Sequence, residues 1–117
     1  MNTFSITTPL TGEYFTTVRL TVGGICALAG FDVDSTEDFK VCVTECLLIL
    51  NRNGFTAATI SLSVGEELAC EITGEQLEGE KIDTPENEIS FALLSALLGS
   101  VEFINEENRV VKIQFKG

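Results

Sequence analysis

Histidine and tryptophan are absent from this chain, tyrosine occurs once, proline twice, and seven Lys and Arg stand against eighteen Asp and Glu. Without histidine there is no Ser-His-Asp or Cys-His arrangement for nucleophilic catalysis. A mixed Cys/His zinc site is excluded for the same reason. The four cysteines, Cys26, Cys42, Cys46 and Cys70, show no C-x-x-C spacing and lie inside apolar runs. A reduced thiol there behaves as a small hydrophobe, so no metal site is expected. The shortage of basic residues gives a net charge of -11 at pH 7, and the seven that exist form no cluster. That excludes phosphate-backbone binding, so nucleic acid is not an expected partner. Also missing is any run of the roughly 18 to 20 apolar residues that cross a bilayer. The first residues, MNTFSITTPLTGEYF, lack the charged head and apolar core of a signal peptide. The expectation is a cytoplasmic protein with no membrane partner.

What is present is enough for one domain over residues 1–117, with 44% hydrophobic residues. The stretch Asp38 to Phe55 reads as a long helix running into a turn, and its segment Cys46-Leu47-Leu48-Ile49-Leu50 is apolar on every face. Around it, Thr3 to Thr8 alternates as a half-buried strand that Pro9 ends. Thr11 is placed to cap a helix from Gly12 to Ala29, with an apolar stripe of Phe15, Val18, Val22, Ile25, Leu28 and Ala29, and Gly30 stops it. Gly23-Gly24 in that helix predicts close approach of another backbone. Asp34 or Ser35 caps the second helix, which runs to about Arg52 and is closed by Asn53-Gly54.

From Thr56 the period changes to two. Ile60, Leu62 and Val64, the turn Gly65-Glu66-Glu67, then Leu68, Cys70 and Ile72 make a hairpin. Gly74 to Asp83 is polar and reads as a loop. Thr84-Pro85 starts a third helix, Glu86 to Leu98, which turns Ile89, Leu93, Leu94, Leu97 and Leu98 inward. Val101 to Ile104 and Arg109 to Phe115 are two further strands. The order β-α-α-β-β-α-β-β predicts an α/β (α+β) two-layer sandwich: a mixed, mostly antiparallel sheet of about five strands with three helices on one face.

Three stretches carry a resemblance: Val18-Arg19-Leu20-Thr21-Val22-Gly23-Gly24-Ile25, Ala29-Gly30-Phe31, and Glu37-Asp38-Phe39-Lys40-Val41 with Val43-Thr44-Glu45-Cys46. They resemble the anti-sigma-factor serine/threonine kinases of bacterial partner-switching systems. Those belong with histidine kinases and gyrase to the histidine-kinase-like ATPase (Bergerat) fold. The likeness covers about the first 55 residues well. Beyond them it continues in element order and in the closing strands, Val101 to Glu107.

The resemblance implies specific chemistry, position by position. The family's second helix carries a Glu as general base and, four residues later, an Asn that holds magnesium on the phosphates. Here Glu45 stands at the first position and Ile49 at the second. A branched alkyl chain cannot ligate a hard cation. Asn51, roughly 240° round the helix from Glu45, and Asn53, two turns on, do not replace it. In the family's adenine-binding Asp-x-Gly-x-Gly turn, this chain has Ile72 for the Asp, Gly74 for the first glycine and Gln76 for the second. In place of the glycine-rich lid stands Pro85-Glu86-Asn87-Glu88-Ile89-Ser90-Phe91-Ala92, with no glycine and two carboxylates. Carboxylates repel phosphate at close range.

The implied reading is a non-catalytic, anti-sigma-factor-like regulator that acts by binding protein and needs no cofactor. The partner would be a sigma factor or an anti-anti-sigma-like protein. Arg19 matches a first-helix Arg that helps dock those partners in the family. The alternative is a working serine/threonine protein kinase that takes ATP and magnesium and uses Glu45 as base. A third reading puts an apolar ligand in an emptied pocket lined by Ile49, Ile72 and cysteines. The family's homodimers make the first strand and the helix with Gly23-Gly24 the surfaces where a second copy would meet.

Overall fold

A computed structural model describes residues 2–117. The elements run β1 (Asn2–Pro9), α1 (Gly12–Leu28), α2 (Val33–Arg52), β2 (Phe55–Val64), β3 (Leu68–Leu77), α3 (Pro85–Leu97), β4 (Val101–Glu106) and β5 (Arg109–Lys116). The predicted order is therefore present. The sheet is ordered β1-β2-β3-β5-β4, and every neighbouring pair is antiparallel rather than mixed. Connectivity explains this. Two helices between β1 and β2 return the chain to the end it left, and β2/β3 and β4/β5 are hairpins. The single helix α3 would deliver β4 parallel to β3, but β5 inserts between them and opposes both.

The alternation of β2 and β3 sends Ile60, Leu62, Leu68, Cys70 and Ile72 into the core, joined by Ile113 and Phe115 of β5. On the opposite face the side chains are mostly polar. Three hydroxyl pairs, Thr3–Ser63, Ser5–Ser61 and Thr7–Thr59, bridge β1 and β2 at 2.8–2.9 Å. Burying the apolar face therefore requires a helical layer on one side only.

α2 is the central element of that layer. Phe39, Cys42, Val43, Cys46, Leu47, Ile49 and Leu50 are all buried. It begins at Asp32, whose Oδ1 accepts from the Ser35 amide at 2.8 Å, so the cap lies two residues before the predicted Asp34. On α1, Val18, Val22 and Cys26 are the buried positions, at four-residue steps. Leu28, expected inward, is 76% exposed, because two residues beyond Cys26 is more than half a turn round the helix. Gly30 takes φ +82°, and the Phe31 amide bonds back to the Cys26 carbonyl, the left-handed stop that glycine favours. Gly23 admits the Lys40 side chain, whose Cε lies 2.9 Å from where a Cβ would be, and Gly24 faces open space. Among the described residues, no second backbone approaches this glycine pair.

Two further expectations change. Residues 74–77 are not loop but the end of β3, paired with β2 from Ala58 back to Phe55. On α3 only Ser90 and Leu94 are buried; Ile89 is 59% exposed, and Leu93 and Leu97 lie at the surface as well. The helix rests on α2 by one row of side chains, so its remaining apolar residues face outward. Among the described residues, no helix is long and apolar enough to cross a membrane.

Candidate functional site

The sequence directs attention to one face of α2, and the structure places Glu45 there beneath α3. Its Oε2 accepts a hydrogen bond of 2.6 Å from Ser90 Oγ. Arg52, two turns further along the same face, donates through Nη1 to Ser90 Oγ at 2.8 Å, to the Glu86 carbonyl at 3.2 Å and to Asn87 Oδ1 at 3.4 Å. Ser90 thus stands between carboxylate and guanidinium, and it is almost wholly buried. The cluster closes the first turns of α3 onto α2. A buried hydroxyl with both donor and acceptor roles filled is a positioning element.

The end of α2 is equally occupied. Asn53, buried, donates from Nδ2 to the Ile49 carbonyl at 2.8 Å and accepts at Oδ1 from the Val110 amide at 3.0 Å. Asn51 donates to the Phe55 carbonyl at 3.1 Å. Both asparagines donate to backbone carbonyls. Gly54 has φ +99° and receives the turn after β3: its carbonyl accepts from the Glu78 and Gly79 amides at 3.1 and 2.9 Å. A side chain at Gly54 would meet the Gly79 carbonyl, so the close approach requires glycine. The Ile82 amide then bonds the Arg52 carbonyl at 2.7 Å, satisfying another end group of α2. The acidic segment Glu75 to Glu88 is in this way strand first, then a turn pinned to α2.

The positions that the resemblance assigns to nucleotide are filled by core. Ile49 faces inward and is buried. Ile72 is fully buried, in register with Ile60 on one side and Ile113 on the other. Gly74 lies under the Phe55 ring, and a Cβ there would come within 2.6 Å of it. Glycine at 74 therefore serves Phe55. ATP and magnesium do not fit this residue set: the metal position is alkyl, the adenine position is a core isoleucine, and the base position is hydrogen-bonded to Ser90. Of the residues expected to line an apolar-ligand pocket, Ile49 and Ile72 pack in the core and line none of the three cavities described, whereas Cys70 lines one and Cys42 another.

Arg19 is exposed on α1 and makes no ion pair among the described residues. α1 packs against α2, and Val18, Val22 and Cys26 are its buried positions. The four thiols converge in the single core cluster. Burial raises all four, Cys42 to about 11, and neighbouring thiols and Glu45 add to the rise at Cys46. They are protonated packing groups. Among the described residues no three acids or thiols are grouped to hold a metal.

Ser90 and Arg52 were not singled out from the sequence, and Asn53 was read as the close of α2 and excluded as a magnesium ligand. Arg52 had a readable signal, seven residues after Glu45 and so on its helix face. The partners of Ser90, and the Val110 amide that Asn53 accepts from, had none, because they come from elements distant in the chain. No family model matches this chain, and no curated protein matches it.

Proposed function

We propose that this chain is a non-catalytic regulatory protein of the anti-sigma-factor type, built on a degenerate histidine-kinase-like ATPase fold and acting by binding protein. The observation that carries the reading is the filling of the family's nucleotide positions: Ile49 and Ile72 in the core, Gly74 under Phe55, and Glu45 bonded to Ser90. The antiparallel sheet with a one-sided helical layer is consistent with it. Arg19, exposed and unpaired among the described residues, is the residue expected to touch a sigma factor or an anti-anti-sigma-like partner. Calorimetric titration with Mg-ATP is expected to give no binding, and micromolar affinity would restore the kinase reading with Glu45 as base. Co-purification from the native host, with Arg19→Ala beside the wild type, tests the partner. Recovery of neither partner class by the wild type counts against the assignment.

The same reading includes a second copy of the chain. β1 is a sheet edge without a charged side chain, and the first 31 residues carry only Glu13 and Arg19. In a chain of net charge -11, two copies meet there with least repulsion. Sedimentation across a concentration series is expected to show a dimer, and a monomer throughout would remove this element.

A further inference from the structure

The antiparallel contact of α2 with α3 leaves a row of large apolar side chains on its outer side. Ser90 opposite Glu45 and the Glu86 carbonyl opposite Arg52 set the pairing. That register brings Leu48 level with Ile89, and Val41 level with Leu93 and Leu97. Ile89 is 59% exposed, Val41 39%, Leu93 and Leu97 36% each, and Leu48 is half-buried. On α3 the three residues follow four-residue steps along the flank beside Ser90, so with Val41 and Leu48 they form one seam and not scattered surface residues. Its rim is acidic. Asp34 and Glu37 lie in the first turns of α2 and Glu86 in the first turn of α3, all exposed, in a chain of net charge -11. The nearby cations are engaged: Arg52 by α3 itself and Lys40 by Glu37 at 3.2 Å.

We propose that the outer seam between α2 and α3 docks a basic amphipathic helix of a protein partner. A seam between two antiparallel helices is the surface into which a third helix packs, with apolar anchors at three- and four-residue spacing. The acidic rim selects lysine and arginine on the flanks of that helix. It also disfavours an anionic lipid surface and a second copy of this acidic chain. The seam is built from α2 and α3, whereas Arg19 stands on α1, and the proposal stands whether or not α1 engages a sigma factor.

The test uses the full chain and a synthetic leucine–lysine peptide of helical period, with its leucine–glutamate counterpart as control. Nuclear magnetic resonance is expected to map the lysine peptide onto α2 and α3, with no binding of the glutamate peptide. Leu93→Asp and Ile89→Asp are each expected to weaken binding at least about tenfold, as loss of an apolar anchor does. Leu20→Asp, at an exposed α1 position, leaves it unchanged. Because the aspartates add negative charge, unchanged or tighter binding by both variants would mean that charge alone attracts the peptide, and the proposal falls. It falls equally if the perturbed residues lie on β1 and α1, or if Ile89→Asp abolishes self-association of the wild type. Ile89 is the more exposed of the two sites, so its variant reports even if Leu93→Asp melts early.

Discussion

Ile49 is the residue at which chemistry and packing conflict most directly. Restoring the amide that the resemblance requires, by Ile49→Asn, removes a buried alkyl chain worth about 2 kcal/mol. It also buries an amide without a partner, for about 1–3 kcal/mol more. A loss of about 3–5 kcal/mol is expected by urea denaturation, with Mg-ATP still unbound by calorimetry. Ser90→Ala is milder, because Glu45 is only partly buried and can turn to water. Removing the hydroxyl between Glu45 and Arg52 should lower stability by about 1 kcal/mol in the same assay. Glu45 itself was readable from the sequence as a carboxylate at the edge of an apolar helix. That its partner is a serine 45 residues away was not.

Among the elements, helices were legible in extent and misread at their ends and faces. The apolar run of α2 marks burial on nearly all sides, and its buried list agrees. Its start was misplaced because Asp32 and Asp34 are equivalent as cap residues on paper, and only backbone geometry chooses between them. Asp32→Ala should therefore cost about 1 kcal/mol in thermal or urea melts, while Asp34→Ala stays within a few tenths. For α3 the sequence offers five apolar residues, and the fold uses Leu94 fully and Leu98 in part. Periodicity counts which residues could face a core. How much core there is to face depends on the neighbours, and a thirteen-residue helix lying over α2 and the β5/β4 end of the sheet finds little.

At the scale of the whole molecule, burial of the thiols ties stability to alkaline pH. Cys42 ionises at 9.0 when unperturbed and at about 11 in the fold. Below pH 9 both states keep the proton and nothing is lost. Above it the unfolded chain ionises while the folded one does not, so the unfolded state gains and stability falls from pH 9 towards 11. The urea midpoint should drop across that window, and Cys42→Ala should make the drop shallower while the other three buried thiols sustain the rest. Composition and the switch from a 3.6-residue to a two-residue period determined by themselves the element order and the absence of histidine chemistry, and charge set the expectation against nucleic-acid binding. Those properties are local or additive along the chain. Only the tertiary structure decided that the sheet is wholly antiparallel, that Glu45 is held by Ser90, that Gly74 serves Phe55, and that the apolar side chains of α3 look outward. Each of these depends on which distant residues arrive at the same place, and that is set by how the helical layer and the sheet divide a limited interior between them.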